Sequence, residues 1–233
     1  MKNQGSLPVF VQISELLIRE INAGHLLDGE RLPTERAMAS EMGISVGTLR
    51  KSLAELEKVG LLERRQGSGN YVRAKSDAES VYAFFRIELL KGGGLPSADI
   101  LSVRRLEKPA EFPLFGSTKE GHRIRRLRYL NETPVAVEEI WLDAGYVDEI
   151  QTEDLSDSLY LYYKSQLGVW IARAEDCVSI DTAPDWSVAA FGPRPGEPCG
   201  YIERISWDQD NESAEFSRTW FDASKARYVT RIR

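Results

Sequence analysis

Two sets of residues in this sequence have side-chain types and spacing that could do chemistry. The first set lies between residues 36 and 67 and combines arginines, hydroxyl side chains and glycines, which suit contacts with nucleic-acid phosphates and base edges. The second set contains Arg126, Arg128 and Glu138, whose guanidinium and carboxylate groups suit a small ligand with an anionic end. The sequence shows no nucleophile–base–orienter set, metal motif or phosphate loop. We therefore predict binding rather than catalysis, and no metal or cofactor.

The first set centres on a predicted helix from Ser45 to Val59. Its inward stripe, at helical spacing, consists of Leu49, Leu53 and Leu56. The opposite face offers Val46, Gly47 and Arg50. An α-helix fits the major groove of DNA and its first turn meets the base edges, so Arg50 is the strongest candidate for a bidentate contact with guanine. The small Gly47 allows the helix backbone to approach closely.

Other residues near this helix also suit contacts with DNA. The hydroxyl groups of Ser45 and Thr48 suit phosphate oxygens, and Arg36, early in the preceding helix, could reach the backbone or a base. A basic hairpin with Arg64, Arg65 and a glycine-rich tip beginning at Gly67 predicts a wing along the adjoining groove. Taken singly, a surface arginine is usually only solvated and a glycine-rich turn is usually only a turn. The prediction depends on helix, corner, helix and basic wing occurring in this order between residues 32 and 73.

The N-terminal elements follow from helix and turn signals. Apolar spacing, capping residues and stop glycines predict helices over residues 6–24, 34–43 and 45–59. The second and third helices are separated by so few residues that a helix-turn-helix corner is favoured. Two short strands around residues 66–70 predict a β-hairpin.

The C-terminal part of the chain has a mixed pattern. Strand-like runs cover residues 124–130, 134–142, 201–207 and 214–221, and helix-like stretches lie near 82–91, 158–167 and 184–191. The run from Ile124 to Glu138 resembles the run from Ile202 to Glu215. Two copies of one hairpin predict a pseudo-symmetric antiparallel sheet, although amphipathic hairpins in general share this pattern.

The second set of candidate residues lies on this predicted sheet. Arg126 and Arg128 are two residues apart on a strand, so they project from one face, and the tight turn after the strand places Glu138 roughly opposite Arg126. Residues that could bind the other polar groups of a ligand are Ser158, Tyr160 and Glu215. The alternative is a solvated cross-strand ion pair, which the spacing alone favours.

Composition and charge limit the class of protein. The 233 residues are 42% hydrophobic and 28% charged, which fits one large or two small folded domains rather than a disordered chain. The net charge is -6, but residues 1–75 are weakly basic and the remainder is acidic, which fits a DNA-binding head with a different role behind it. Two cysteines, no signal peptide and no long apolar run favour a cytoplasmic chain without a membrane span. We predict a DNA-binding domain over residues 1–75, a linker over 76–79 and a ligand-binding and dimerisation domain over 80–233.

The N-terminal third resembles the winged-helix domain of the GntR family of bacterial transcription regulators, in the stretch LPTERAMASEMGISVGTLRKSLAELEKVGLLERRQGSGNYV. The match covers about residues 8–73, from the LP-[ST]-ER element through the G-[IV]-S corner and T-[LV]-R element to the G-x-G-x-[YF]-V wing. The resemblance implies DNA contacts by Arg36, Ser45, Thr48, Arg50, Gln66 and Gly67. Many members carry arginine where this chain has Val46, which can touch a thymine methyl group but cannot read guanine. We therefore do not expect the usual family operator to carry over unchanged.

Residues 80 to about 230 resemble the UTRA effector-binding domain of the HutC branch of that family. The carrying stretches are RLRYLNETPVAVEEIWL, DLSDSLYLYY and ESAEFSRTWF. The resemblance implies an α+β chain in which the winged helix-turn-helix is followed by an antiparallel α/β domain like chorismate lyase, with a small-molecule pocket. In phosphosugar-sensing members the pocket is lined at positions matching Arg126, Arg128, Glu138, Ser158, Tyr160 and Glu215. Phe85 and Arg86 lie in a segment that, in other members of the family, contributes small polar residues to the pocket. We include both residues in the candidate effector site.

The resemblance implies a regulator that is more often a repressor and acts as a homodimer on a palindromic double-stranded operator. We expect a small anionic metabolite to control its affinity for DNA. One alternative is a chorismate-lyase-like enzyme fused to a DNA-binding head, with acid–base chemistry at Glu138 or Glu215. Another is a structural nucleoid binder without an effector, which conflicts with the acidic C-terminal part. Turnover of a bound metabolite would identify the enzyme, whereas a sensor binds reversibly.

Overall fold

The computed structural model describes residues 7–73 and 84–231, which divide into two compact units. The described residues of the N-terminal unit are 7–73, 84–85 and 91–95, and those of the C-terminal unit are 86–90 and 96–231. The predicted linker, residues 76–79, lies outside the described residues. Within the described ranges, no helix has both the length and the apolar character needed to cross a membrane.

The N-terminal unit consists of three helices followed by a hairpin. The elements are α1 (Val9–Ala23), α2 (Glu35–Glu41), α3 (Val46–Lys58), β1 (Leu62–Arg65) and β2 (Gly69–Val72). Gly24 ends α1 in the left-handed conformation, with φ of 79°. The side chains of Thr34 and Ser45 cap α2 and α3 by accepting hydrogen bonds from backbone N–H groups. The predicted helix-turn-helix and hairpin are therefore present.

The core of this unit joins the three helices to the hairpin. The predicted inward stripe of α3 is fully buried and consists of Leu49, Leu53 and Leu56. These leucines pack in one cluster with residues of α1, such as Leu17 and Ile21, and with Val72 of the hairpin. The Ser52 hydroxyl also donates a hydrogen bond of 2.8 Å to the Phe10 carbonyl, which ties α3 to α1. Burial of one face fixes which face of α3 is left to solvent.

The C-terminal unit is built on antiparallel strands. Its strands are β3 (Ile87–Leu89), β4 (Pro96–Glu107), β5 (Glu120–Leu130), β6 (Thr133–Asp143), β7 (Ile171–Thr182), β8 (Pro198–Asp208), β9 (Ser213–Phe221) and β10 (Ala226–Tyr228). Helix α4 (Leu159–Tyr162) continues into a wider helical turn over Tyr163–Leu167. Six strands form one sheet in the order β4-β5-β6-β9-β8-β7, and β3 pairs with β10.

This strand order agrees with the two hairpin copies seen in the sequence. The hairpins β5–β6 and β8–β9 meet through the β6–β9 pairing, and each is flanked by one outer strand. The four predicted strand runs and the helix near 158–167 are present. The helix predictions near 82–91 and 184–191 were wrong, because the described part of the first contains β3 and the second contains only a short turn over Ala189–Phe191.

Two candidate functional sites

The exposed face of α3 forms the first candidate site. Ser45 Oγ accepts a 3.0 Å hydrogen bond from the Thr48 N–H and lies 2.8 Å from Thr48 Oγ1, so both hydroxyls lie at the helix start. Gly47 and Arg50 are exposed, as the buried leucine stripe requires. Val46 is half-buried and packs against the core of the unit. The first turn therefore presents small groups and one long cation to solvent.

An ion pair with α2 holds the Arg50 side chain. Arg50 Nε lies 2.6 Å from Glu35 Oε2, and 64% of the Arg50 side chain is exposed. Arg36, the neighbour of Glu35, is exposed on the same short helix. The guanidinium of Arg50 is thus oriented by a partner but remains open to a ligand.

The hairpin after α3 carries the other predicted DNA contacts. Arg64 lies 3.1 Å from Glu57 Oε2 through its Nε atom, and its Nη2 atom donates to the Arg50 carbonyl at 3.2 Å. Arg65 pairs with Glu63 at 2.9 Å and its guanidinium carbon lies 4.3 Å from the centre of the Tyr71 ring. The exposed tip contains Gln66 and Gly67. Arg64 and Arg65 of the predicted wing, like Arg50 of α3, therefore already have acidic partners.

The second candidate site is a buried polar cluster on one face of the six-stranded sheet. Arg126 lies directly opposite Glu138 in the β5–β6 register, as predicted, and its Nε and Nη2 atoms donate to Glu138 Oε2 at 3.1 and 2.7 Å. Arg128 Nε lies 3.8 Å from the same oxygen. Both guanidiniums also donate to the Asp157 carbonyl, at 3.4 Å from Arg126 and 2.9 Å from Arg128. These charged side chains are buried, so the solvated ion pair is the wrong interpretation.

Glu215 forms the acceptor at the other end of the cluster. Its carboxylate accepts hydrogen bonds from Tyr160 Oη at 3.0 Å, Tyr163 Oη at 2.8 Å and Ser206 Oγ at 3.3 Å. Ser158 Oγ accepts from the Leu161 N–H at 3.3 Å and caps α4, the helix that carries Tyr160. The cap therefore positions the tyrosines over the sheet.

The structure adds residues that the sequence did not single out. Arg204 makes two hydrogen bonds to Asp176, at 2.5 and 2.7 Å, and Tyr228 Oη donates to Asp176 Oδ2 at 2.8 Å. Tyr163 and Ser206 complete the Glu215 site. The signal that could have found Arg204 was its match to Arg126 in the second hairpin copy. Asp176 carried no such signal, because its strand β7 was not predicted.

The pKa values of the two carboxyl groups in the cluster, those of Glu138 and Glu215, are shifted in opposite directions. Burial opposes the charge on Glu138, but the Arg126 and Arg128 guanidiniums outweigh burial and hold the pKa of Glu138 below its ordinary value. Burial raises the pKa of Glu215, although hydrogen bonds from Tyr163 and Tyr160 act in the other direction. Burial, followed by the Glu215 charge, also raises the pKa of both tyrosines. The cluster thus combines a charged carboxylate beside cations with a carboxyl group that holds its proton more readily.

Phe85 and Arg86 belong to different units. The Phe85 ring centre lies 5.4 Å from the guanidinium carbon of Arg19, within the N-terminal unit. Arg86 is exposed in the C-terminal unit, and its carbonyl accepts a 2.8 Å hydrogen bond from the Val229 N–H. Their assignment to the effector site remains a prediction. Across the two described ranges, no group of three or more His, Cys, Asp or Glu side chains could hold a metal ion.

Comparisons with known proteins identify both parts of the chain. Residues 10–72 match the family model described as bacterial regulatory proteins, gntR family, and residues 91–227 match the UTRA domain. The chain is 58% identical to the HTH-type transcriptional regulator SmoD of Agrobacterium fabrum over 98% of both chains. It is 24% identical to the HTH-type transcriptional repressor NagR of Bacillus subtilis, over 98% of this chain and 96% of that one. The crystal structure of YydK from Bacillus subtilis shares the fold, with a TM-score of 0.55, 21% identity and coverage of 97% of this chain and 100% of that one.

Proposed function

Because this chain belongs to the GntR family of bacterial regulatory proteins and carries a UTRA domain, we propose that it is a repressor whose affinity for its operator is controlled by a small anionic metabolite. The N-terminal unit binds the operator and the C-terminal unit binds the metabolite. The protein acts as a homodimer on a palindromic site, because two copies related by a two-fold axis match two half-sites. The C-terminal unit senses its ligand and does not transform it. A relative named as a repressor supports the direction of regulation.

The exposed face of α3 is the observation that carries the DNA-binding part of the proposal. The leucine stripe is buried, so Gly47 and Arg50 face outward near the helix start, where a recognition helix meets base edges. The hydroxyls of Ser45 and Thr48 and the free N–H groups of the first turn suit a phosphate oxygen. Arg36 and the tip residues Gln66 and Gly67 are exposed on neighbouring elements. In this proposal the Arg50 side chain contacts a guanine base, and the other residues contact the sugar-phosphate backbone of the DNA.

The buried polar cluster supports the effector-binding part. Arg126 and Arg128 place two guanidiniums beside one carboxylate, and such a pair can exchange an internal partner for the anionic group of a ligand. The Glu215 carboxyl and the Tyr160 hydroxyl suit the hydroxyl or amine groups of the same ligand. We assign the effector to this face of the sheet, with Ser158 at the start of α4.

The DNA-binding part is tested by an unbiased oligonucleotide selection with the full-length protein. Fluorescence anisotropy then compares the wild-type protein with Arg50→Ala on the selected duplex. We expect Arg50→Ala to lose ~1–3 kcal/mol of discrimination, because it removes a bidentate base contact. Lys58→Ala is the matched control, since Lys58 is an exposed cation in the last turn of the same helix. No sequence preference in the wild-type selection would reject the proposed function.

The effector-binding part is tested with Arg126→Ala. Thermal-shift screening against anionic metabolites gives the ligand, and anisotropy then measures how much that ligand weakens operator binding. We expect a coupling of ~1–3 kcal/mol in the wild-type protein. Arg126→Ala should bind the operator normally but respond less to the ligand. A response equal to that of the wild-type protein would remove Arg126 from the effector site.

A further inference from the structure

The wing hairpin has a third, strand-like arm made by residues 29–32, which precede α2. The Gly29 N–H donates to the Val72 carbonyl, the Val72 N–H to the Glu30 carbonyl and the Leu32 N–H to the Asn70 carbonyl, each at 2.9 Å. Arg31 forms an antiparallel bridge with Tyr71. Residues directly opposite each other in such a pairing project to the same face. The arm therefore adds the Arg31 side chain to the face of the wing that carries Tyr71.

The Arg31 guanidinium lies beside the backbone of Gly69. A Cβ atom at Gly69 would come within 3.1 Å of Arg31 Nε and 3.6 Å of Arg31 Nη2. The backbone φ angle of Gly69 is +125°, a value that residues with a side chain rarely adopt. Gly69 also pairs with Arg65 across the hairpin. Two guanidinium-bearing residues, one from the arm and one from β1, thus flank the same glycine at the tip of the wing.

The arginines of the wing and of α3 differ in whether they have an acidic partner. On the wing hairpin, the Glu63 carboxylate forms ion pairs with both Arg65 and Arg73. Arg31 is exposed, and among residues 7–73 and 84–231 it has neither an ion pair nor a side-chain hydrogen bond. Arg50 and Arg64, by contrast, pair with Glu35 and Glu57. Arg31 is therefore a cation of the wing that needs to break no internal ion pair to meet an anion.

We propose that Arg31 binds a backbone phosphate of the operator beside the wing, an inference that rests on the proposed function. The guanidinium matches the geometry of a phosphate group, and the neighbouring Arg65 adds positive potential. The absence of a Cβ atom at Gly69 leaves room for the Arg31 guanidinium, because a Cβ there would lie within 3.1 Å of Arg31 Nε. Ser68 Oγ and Tyr71 Oη, 2.7 Å apart, place hydroxyl groups on the same hairpin. A phosphate contact adds affinity on any sequence and does not select bases.

The experiment measures salt dependence. Full-length wild-type protein, Arg31→Ala and Arg31→Lys are titrated by anisotropy between 50 and 200 mM KCl, on the selected duplex and on a scrambled one. Each phosphate contact contributes about 0.9 to the slope of log K against log salt. Arg31→Ala should therefore bind both duplexes more weakly at 50 mM, and its affinity should fall about 3.5-fold less than that of the wild-type protein across this range. Arg31→Lys retains the charge and should restore the slope.

Arg194→Ala is the matched control, because it removes one exposed arginine from the C-terminal unit. Its slope should equal that of the wild-type protein. A wild-type slope and affinity in Arg31→Ala would overturn the phosphate contact, even if Arg50→Ala still reduced discrimination between the duplexes and so upheld the proposed function. Loss of discrimination at an unchanged slope would also overturn it, because that result indicates base reading. Failure of the wild-type protein to bind either duplex would overturn both proposals.

Discussion

Arg126 and Glu138 lie directly opposite each other on β5 and β6, and Arg126 Nη2 donates a 2.7 Å hydrogen bond to Glu138 Oε2. Arg128 Nε lies 3.8 Å from the same oxygen. The three side chains are between 2% and 8% exposed. One carboxylate therefore serves two buried guanidiniums, and its loss would leave both without their shared counter-charge.

The first prediction concerns the stability of the C-terminal unit. Glu138→Gln should lower the free energy of unfolding by ~3–5 kcal/mol, because two like charges are left buried. Urea unfolding at pH 7, followed by circular dichroism, measures the change. Glu197→Gln is the control, since its partner Arg194 is 84% exposed and an ion pair screened by solvent in this way contributes little to stability. Equal losses in the two variants would contradict the prediction.

The second prediction gives the pH dependence of this contribution. Burial disfavours the Glu138 charge, but Arg126 and Arg128 hold the pKa of Glu138 below its ordinary value of 4.5. A carboxyl group with a lowered folded-state pKa contributes stability that is present above the unfolded-state pKa and is lost as pH falls through the folded-state pKa. The stability difference between the wild-type protein and Glu138→Gln should therefore shrink on acidification below about pH 4.5. Urea titrations from pH 7 to pH 3 test this, and a growing difference would refute it.

The third prediction has the opposite sign and concerns Glu215. Burial raises the pKa of Glu215, so its contribution is present below the unfolded-state pKa and is lost as pH rises through the folded-state pKa. Glu215→Gln stays neutral at every pH and cannot lose stability in this way. Its melting temperature relative to the wild-type protein should rise between pH 5 and pH 8. If the difference in melting temperature between the two proteins stayed constant from pH 5 to pH 8, Glu215 would not titrate as described.

The fourth prediction separates capping from DNA binding at Ser45. Ser45→Ala removes the acceptor for the Thr48 N–H and should cost ~1 kcal/mol of stability. Ser45→Asp keeps an acceptor at the helix start, so its stability should match the wild-type value, while its negative charge repels DNA phosphates. Thermal melting and anisotropy on the selected duplex measure the two effects. If Ser45→Asp bound DNA as tightly as the wild-type protein, the helix start would not face the backbone.

The fifth prediction concerns the ion pair between α2 and α3. Glu35 Oε2 lies 2.6 Å from Arg50 Nε and orients that guanidinium. Glu35→Gln removes a negative charge near the DNA, so binding to a scrambled duplex should tighten. The substitution also removes the ion pair that orients the Arg50 guanidinium. The ratio of the affinity for the selected duplex to the affinity for the scrambled duplex should therefore fall. A variant that kept the wild-type ratio would show that Glu35 does not position Arg50.

The N-terminal elements were predictable because their signals are local. Thr34 and Ser45 cap helices through bonds to residues three positions later, and Gly24 ends α1 through its own backbone conformation. Strands β4 and β7 were missed because they are the outer strands of the sheet and show no clean alternation of buried and exposed residues. The stretch 184–191 looked helical, but its apolar residues, such as Trp186 and Phe191, pack against the core of the sheet instead.

The sequence by itself determined the family, the helix α3 with its buried leucine stripe, and the Arg126–Glu138 pair, since a tight turn fixes the register of one hairpin. Only the tertiary structure decided the partners in the second copy. There Arg204 lies opposite Ser217 rather than Glu215, because the β8–β9 connection is longer than the β5–β6 turn. Glu215 consequently binds Tyr160 of α4 and Tyr163 of the helical turn that follows it, and Arg204 turns to Asp176 on β7. Turn length and the packing of distant strands, which no local pattern encodes, thus set which buried charges meet.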